Sequence, residues 1–316
     1  MPRIAVHVRT RWSRPVRHGP VAVPIHRGDV PLVAGQVEMK PAQQALPALP
    51  AGAELIDTHC HLDMESFAAD LDAVIQSAAE HGVRRIVTIG IDEASSRRAV
   101  AISDHYASIY ATIGFHPHDA REATVDALDR VAALASQPSV VAYGEIGLDY
   151  VKQYAPPEVQ RRAFADQLNL ARDLALPVVI HDREAHADCL DLLRKAGPLP
   201  RGGVMHCFSG DSRLAREVID LGLLVSIPGV VTFNNAADLR EVVRATDLDH
   251  LLLETDGPFL APVPRRGKRN EPKLLLYTAQ VVADLKQVSL AEVARATTAN
   301  AVRLFRLPAE GLRHAQ

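Results

Sequence analysis

Two histidines one residue apart, His59 and His61, end a stretch that favours a β-strand and begins near Glu54. Side chains alternate between the two faces of a strand, so both imidazoles lie on one face. Two neutral imidazoles that converge on one point make half of a metal site. A chain with 14 histidines among 316 residues also contains such pairs by chance, so the positions of the other histidines and acids decide what this pair means.

In total, six residues of types that ligate metal ions stand at the carboxyl ends of predicted strands. They are His59, His61, Glu145, His181, His206 and Asp256. Any one of these histidines could be an ordinary packed residue, but random placement would not put all of them at strand ends. Four imidazoles and two carboxylates exceed the needs of one tetrahedral ion and suit two ions that share a bridging carboxylate. The set predicts a hydrolase with two divalent ions, Mg²⁺, Mn²⁺ or Zn²⁺, that activate water for phosphodiester or acyl hydrolysis.

An alternation of short apolar strands and amphipathic helices must bring these residues together. The first predicted strand begins at residue 54, and the others span 85–90, 109–113, 140–145, 177–181, 203–206, 223–227 and 250–254. Predicted helices span 70–81, 92–105, 124–136, 158–174, 184–195, 212–221, 236–245, 272–286 and 290–305. This pattern is typical of an α/β fold, the (β/α)₈ TIM barrel, in which the carboxyl ends of all strands form one rim that carries the chemistry. The alternative, a doubly wound open sheet, is disfavoured because ionisable residues follow many strands rather than one switch point.

Composition restricts the substrate and the compartment. The formal net charge of −3 gives the chain no overall basic character, so contacts with nucleic acid must be local or supplied by metal ions. Three cysteines, an odd number, argue against a disulfide framework and favour a cytoplasmic location. Because no apolar run approaches the length of about 18 residues that a bilayer requires, we expect no membrane association.

The first 52 residues differ from the rest of the chain. They contain eight of the 21 prolines, and residues 1–40 contain seven Lys or Arg but only two acids. Proline interrupts every possible helix here, so we predict a disordered basic extension at 1–52, one barrel domain at 53–308 and a short tail at 309–316. Two alternatives for the extension are an arm that touches nucleic acid and, because Met39 lies close to the domain, sequence upstream of the true start.

Six stretches resemble, in order and spacing, the motifs of the TatD family of metal-dependent deoxyribonucleases. These stretches are 57–63, 114–118, 144–150, 180–183, 206–210 and 254–258, and the resemblance covers about residues 55–306. It implies a single-domain barrel of the amidohydrolase-like kind. It also implies that one ion is held by His59, His61 and Asp256 and the other by His181 and His206. In this resemblance Glu145 bridges the two ions, and Asp256 receives a proton from the attacking water.

The resemblance also indicates residues that contact substrate. The stretch 265–272 after the last predicted strand is similar to a basic loop of the family, and loops after the seventh and eighth strands commonly bind phosphate in barrels. Arginine and lysine there would form charge-assisted hydrogen bonds with a phosphodiester. The predicted substrate-binding residues are His116, His118, Arg183, Arg266 and Lys268.

The leading prediction is therefore a TatD-type deoxyribonuclease with DNA or another nucleic acid as its substrate and no obligate protein partner. A second prediction uses the same ions for another reaction, the hydrolysis of an ester or amide, for example the removal of a D-amino acid from tRNA. A third is a non-catalytic metal-binding protein, which the intact set of ligands disfavours.

Overall fold

Eight parallel strands form one sheet in which the spatial order of the strands is their order along the chain. The computed structural model describes residues 45–308. Its strands are β1 (Leu55–Cys60), β2 (Val83–Thr88), β3 (Ile109–Ile113), β4 (Val140–Asp149), β5 (Val178–Arg183), β6 (Gly203–Met205), β7 (Leu223–Ile227) and β8 (Leu251–Leu253). Helices connect successive strands, which confirms the predicted TIM barrel.

The helices surround this sheet and agree in number and type with the predicted ones, apart from one additional short helix. They are α1 (Glu65–Ala68), α2 (Leu71–Glu80), α3 (Glu93–His105), α4 (Val125–Ala132), α5 (Pro157–Asp173), α6 (His186–Ala196), α7 (Ser212–Asp220), α8 (Ala237–Ala245), α9 (Leu275–Lys286) and α10 (Leu290–Phe305). The predicted cap of α3 is present, because the Asp92 carboxylate accepts a hydrogen bond from the backbone N–H of Ser95 at 2.6 Å. In the described residues, no helix is both long and apolar enough to cross a membrane.

Side-chain alternation along the strands produces two separate hydrophobic cores. One face of the strands carries Val87, Val179 and Leu252 into a core inside the barrel, and Phe305 at the end of α10 packs against this core. The opposite face packs against the surrounding helices and carries residues such as Ile86 and Ile180. Because both faces are buried, the strands read as short continuous apolar runs, as parallel sheets require.

The barrel closes between β1 and β8 at the residues that carry the predicted chemistry. The backbone N–H of Asp256 donates to the carbonyl of His59 at 2.9 Å, and the N–H of His61 donates to the carbonyl of Gly257 at 2.7 Å. Cys60 and Gly257 form a parallel bridge. The backbone that closes the barrel therefore also fixes three predicted ligands relative to each other.

Strand β4 is longer than predicted, since it continues from residue 145 to Asp149. Its additional residues pair with β5, with Gly147 beside His181 and Asp149 beside Arg183. Gly147 has a φ of +140°, and a Cβ at this position would stand 2.0 Å from the carbonyl oxygen of His181. Only glycine allows this close approach, which brings Asp149 to the rim next to β5.

The described chain begins ahead of the predicted domain boundary and packs on the barrel. Leu46 and Leu49 are partly buried against the outer core, and the δ-methyl of Leu49 would stand 2.6 Å from a Cβ at Gly82. Most of the predicted extension, residues 1–44, and the predicted tail, 309–316, lie outside the described residues. The domain boundaries therefore stay predictions, with Leu46 and Leu49 to be kept in any truncated protein.

We expect a chain that starts at Ala45 to keep the thermal transition of the full chain, and one that starts at Gly52 to unfold at a lower temperature. The shorter chain lacks Leu46 and Leu49, each of which contributes about 1 kcal/mol through partial burial. In a domain of this size the loss corresponds to roughly 4–8 °C in Tm. Differential scanning calorimetry of the two truncated proteins measures this difference. Equal transitions would show that this segment does not stabilise the barrel.

Candidate metal centre

The six predicted ligands meet at one end of the barrel, although almost 200 residues separate the first from the last. His59 is the fifth residue of β1, and His61 directly follows this strand. Glu145 lies within β4 and His181 within β5. The last two, His206 and Asp256, lie just beyond β6 and β8. The topology of the barrel therefore gathers side chains from four other strands, β1, β5, β6 and β8, around Glu145.

One carboxylate oxygen of Glu145 faces the histidine pair of β1. Its Oε2 lies 3.4 Å from Nε2 of His59 and 3.9 Å from Nε2 of His61. Asp256 Oδ1 completes this group at 3.4 Å from His61 Nε2 and 3.7 Å from His59 Nε2. The two imidazole nitrogens are 3.3 Å apart, which agrees with the prediction that His59 and His61 share a face.

The other oxygen, Oε1, faces a second group of imidazoles. It lies 2.7 Å from Nδ1 of His181 and 2.7 Å from Nε2 of His206. The His206 ring also stacks on His59, with 3.8 Å between ring centroids, and so contacts both groups. Glu145 thus presents one oxygen to each of two clusters, which is the arrangement that a bridging carboxylate requires.

The spacing of the donor atoms fits divalent cations. The Nε2 atoms of His59 and His61 lie 3.4 to 3.9 Å from the nearest oxygens of Glu145 and Asp256. These separations are longer than those of ordinary hydrogen bonds. They are close to the distance of about 3.3–3.5 Å between two donors that each lie about 2.0–2.1 Å from a tetrahedral ion. Donor atoms of His59, His61 and Glu145, and likewise of His59, His206 and Asp256, all lie within 4.8 Å of each other. The site therefore contains histidine and carboxylate clusters that are able to hold metal.

The electrostatics of the cluster show that its acids stabilise positive charge. Burial alone would raise the pKa of Glu145, but the imidazoles of His206, His116 and His59 hold it well below its usual range. Burial would lower the pKa of His206, but Glu145 and Glu254 raise it well above its usual value. A buried carboxylate that remains ionised needs cationic partners, and metal ions provide them as well as protonated imidazoles do.

Two buried acids behind the ligands were not predicted to have a role. Glu254 accepts a hydrogen bond from the backbone N–H of Cys207 at 2.6 Å and lies 3.5 Å from Nδ1 of His206. Asp57 accepts from the backbone N–H groups of Thr255 at 2.9 Å and His59 at 3.3 Å. Both belong to the motif stretches of the sequence, but only the structure shows that they contact a ligand rather than substrate.

We expect Asp57→Ala to weaken divalent-metal binding by about 10- to 100-fold, because residues that hold ligands in place typically have effects of this size. Asp57 connects the β1 ligands to the segment that carries Asp256, and alanine leaves the N–H of Thr255 without its acceptor. Asp57→Asn keeps an acceptor oxygen and is the matched control, with a smaller expected loss. Metal titration followed by calorimetry measures both affinities. Equal affinities for the alanine and wild-type proteins would contradict this role.

Asp149 is a third acid that the sequence analysis missed. Its buried carboxylate accepts from two backbone N–H groups of the following turn, at 151–152, and lies 2.8 Å from Nε2 of His118. It also lies 3.6 Å from Nε2 of His181 and 3.9 Å from the Arg183 guanidinium. Burial would raise its pKa, but the nearby imidazole of His181 and the hydrogen bonds from the backbone and from His118 lower it well below the usual range. Asp149 therefore remains charged and lies next to three residues of the rim, His118, His181 and Arg183.

His116, a predicted substrate-binding residue, lies inside the cluster. Its Nδ1 accepts the backbone N–H of His118 at 3.1 Å, which assigns the proton of the neutral ring to Nε2. That Nε2 lies 3.4 Å from Oε1 of Glu145. Burial lowers the pKa of His116 to about 4, so the ring stays neutral. In this state His116 offers an N–H to an oxygen. Its donor atoms also lie within 4.8 Å of those of Glu145 and His181, and to bind an ion through Nε2 the ring would have to give up the hydrogen bond from His118.

A pocket of about 680 Å³ opens above the cluster, and three of the five predicted substrate-binding residues line it. His116, His118 and Arg183 line it. Arg266 and Lys268 do not line it. Both are exposed, and the Arg266 guanidinium lies over the Phe233 ring, 4.2 Å from its centroid. Contact of these two residues with substrate stays a prediction for a strand that extends beyond the pocket.

Comparison with known proteins gives consistent matches over the barrel. A family model described as TatD related DNase matches residues 56–306. The uncharacterized metal-dependent hydrolase YabD of Bacillus subtilis (strain 168) is 44% identical over 253 residues, which are 80% of this chain and 99% of that protein. The 3'-5' ssDNA/RNA exonuclease TatD of Cronobacter turicensis is 39% identical over 256 residues, 79% of this chain and 97% of that one. The crystal structure of YjjV, a TatD homolog from Escherichia coli K12, superposes with a TM-score of 0.77 at 33% identity and covers 80% of this chain and 98% of its own.

Proposed function

Because this chain belongs to the TatD-related DNase family and is a metal-dependent hydrolase, we propose that it is a nuclease that hydrolyses phosphodiester bonds of DNA. The observation that carries this proposal is the position of Glu145, which presents one oxygen to each of two ligand clusters at the base of an open pocket. Relatives named 3'-5' ssDNA/RNA exonuclease support a nucleic-acid substrate. We place its action in the cytoplasm, since all three cysteines are free thiols.

The donor set suits two divalent ions: His59, His61 and Asp256 would hold one, His181 and His206 would hold the other, and Glu145 presents an oxygen to each group. Divalent ions at such a site supply polarisation of a phosphoryl oxygen and a lower pKa of the attacking water. Magnesium, manganese and zinc all accept this mixture of imidazole and carboxylate ligands to different degrees. The protein contributes the fixed positions of the donors, which the strand ends and the buried acids behind them provide.

Asp256 is the residue that accepts the proton of the attacking water in this proposal. Its carboxylate is 13% exposed, so it faces the pocket more than Glu145 does at 3%. Burial would raise its pKa, but the close imidazole of His61 and the charges of His59 and His206 hold it below the usual value. Asp256 is therefore ionised at neutral pH and able to accept a proton, as a general base must be.

The pocket walls provide donors for the phosphate. Arg183 is about half exposed and offers N–H groups that suit the oxygens of a phosphodiester. His116 directs its Nε2–H toward Oε1 of Glu145, at 3.4 Å, and offers a neutral donor at the base of the pocket. Lys152 lines the same pocket and adds positive charge. These local charges replace the basic surface that the chain as a whole lacks.

End-labelled single-stranded DNA, double-stranded DNA and RNA, each incubated with Mg²⁺, Mn²⁺ or Zn²⁺, test the proposed function. We expect shortening of DNA strands that requires a divalent ion and stops when it is chelated. A D-aminoacyl-tRNA assayed for release of its amino acid is included in the same series. Release of the amino acid while all oligonucleotides stay intact would reject the nuclease and establish the ester hydrolase in its place.

We expect the double variant Arg266→Ala and Lys268→Ala to raise KM for a long oligonucleotide several-fold and to make KM less dependent on salt concentration. Each phosphate contact that is lost means that one counterion fewer is released when the strand binds. Both side chains are exposed beyond the pocket, so a dinucleotide should be hydrolysed almost as before. Steady-state kinetics at several salt concentrations measure both effects. The matched control is Arg84→Ala, which removes an exposed charge near the amino end of β2, at the end of the strands opposite the rim. A salt slope equal to that of the wild type would remove these residues from the interface.

A further inference from the structure

Exposed apolar side chains concentrate in two loops beside the pocket, and two of these residues, Phe259 and Leu260, line it. In the described part of the chain, five large hydrophobic side chains are exposed: Val125, Val151, Tyr154, Phe259 and Leu260. Four of these five lie in the loops that follow β4 and β8, which flank the metal-binding residues. An exposed apolar group surrounded by polar residues is informative because water solvates it poorly, and it commonly marks a binding surface.

The two exposed aromatic rings in these loops contact different histidines of the site. Phe259 lines the pocket, is 48% exposed and meets the His61 ring edge to face, with 5.9 Å between centroids. Tyr154 is 63% exposed and meets the His118 ring edge to face at 4.7 Å. His61 belongs to the group on Oε2 of Glu145, whereas His118 contacts the group on Oε1 through His181 and His116. The two rings therefore contact histidines that belong to, or adjoin, different sides of Glu145.

Both rings project from backbone that the fold holds in place. The N–H of Phe259 donates to the carbonyl of Asp256 at 2.8 Å, and its carbonyl accepts from the buried amide of Asn270 at 2.7 Å. Tyr154 precedes the fully buried Ala155, whose carbonyl accepts from the buried Gln160 amide at 2.8 Å. Rings on ordered backbone lose little conformational freedom when a flat ligand stacks on them.

From these contacts we propose that Phe259 and Tyr154 are stacking platforms for the two nucleobases on either side of the scissile phosphate of an unpaired strand. This inference rests on the proposed nuclease function and assigns its substrate specificity. Every nucleobase has a π-face, so an aromatic ring binds it without regard to sequence. The bases of a duplex are already stacked on each other, so only a single strand or a frayed end offers both faces. The two rings thus select for unpaired nucleic acid.

Short strands with a single hydrolysable phosphodiester test the proposal, the other linkages being methylphosphonates. One strand carries natural bases, a second lacks the base 5′ of the scissile phosphate, and a third lacks the base 3′ of it. With wild-type protein we expect either missing base to raise KM on the order of tenfold, from the stacking free energy of one base. Phe259→Ala and Tyr154→Ala should each raise KM for the natural strand by a similar factor.

The pattern across variants and strands is the decisive result. In each alanine variant, KM should no longer change when one of the two bases is missing, but it should still rise when the other base is missing. The base that no longer matters should be different in the two variants. Phe259→Tyr and Tyr154→Phe keep the rings and should stay within about twofold of wild type. Metal content by elemental analysis verifies that every variant retains its site.

Equal KM values for all three strands with the wild-type protein would overturn the stacking proposal and leave the nuclease function intact. Loss of sensitivity to the same base in both alanine variants would also overturn the assignment of one ring to each side. If the wild-type protein hydrolyses none of the strands with any of Mg²⁺, Mn²⁺ and Zn²⁺, the nuclease function fails and the stacking proposal fails with it.

Discussion

Replacing Glu145 by alanine is expected to lower kcat by about 10³-fold or more and to reduce the divalent ions bound per chain. Among residues 45–308, Glu145 is the only carboxylate whose two oxygens face both groups of imidazoles, as its contacts with His59 and His206 show. Without it the imidazoles lack the negative charge between them, and both groups lose a shared donor. The loss should therefore appear in metal content as well as in rate.

Elemental analysis after metal reloading, together with hydrolysis of a labelled strand, measures the two quantities on the same sample. Glu145→Gln keeps the volume and hydrogen-bonding capacity but removes the charge, so it separates packing from ligation. The matched control is Glu241→Ala, which removes an exposed acid of α8 that pairs only with Arg244 in the described structure. Wild-type rates in metal-loaded Glu145→Ala protein would refute the assignment of this carboxylate as the bridge.

Replacing Asp256 by asparagine is expected to lower kcat by a similar factor, about 10³-fold, with a smaller change in KM. An amide cannot accept the proton of the attacking water, whereas its size matches that of the carboxylate. The backbone should tolerate the change because Asp256 has a φ of +58°, a left-handed conformation that asparagine adopts more readily than most residues. The barrel should therefore stay folded around an inactive site.

The effects of Asp256→Asn on kcat and on metal content together distinguish a proton acceptor from a residue that only holds metal. Single-turnover kinetics at saturating substrate, with metal content determined in parallel, distinguish slow chemistry from lost ions. Asp256→Glu is the companion variant, because it keeps a base but moves it by one methylene and should recover part of the rate. If Asp256→Asn protein with full metal content turns over at the wild-type rate, another group accepts the proton.

The amino-acid sequence determined the order and type of the main elements, because a strand with two buried faces and an amphipathic helix leave different periodic patterns. The strand at 109–113, the strand at 223–227 and the helix at 290–305 have the predicted bounds. Strand β4 did not, since its last residues, Ile146 to Asp149, contain a glycine and an acid that read as a loop. Pairing with β5 decides their conformation, and pairing is a tertiary contact that no local pattern contains.

The sequence also determined which residue types could ligate metal and that they stand near strand ends. The residue types and their spacing did not determine which of them share an ion, and only the family resemblance implied this. The division between the oxygens of Glu145 depends on distances between strands that are far apart in the chain. The protonation of His116 depends on a backbone N–H two residues away, and the positions of Asp149 and Glu254 behind histidine ligands depend on neighbouring strands. Burial and hydrogen bonding set such roles, and both arise only when the barrel closes.

The loops were least determined by sequence. Arg266 follows β8 in a stretch that predicted phosphate contact, yet its guanidinium lies over Phe233, away from the pocket. Phe259 and Tyr154 belong to no charged or metal-binding pattern, yet their rings contact different histidines of the site. A strand end has a direction that the barrel fixes, so residues placed there can be predicted to converge. A loop residue has no such constraint, and its side chain goes where local hydrogen bonds, such as those of Asn270, hold the backbone.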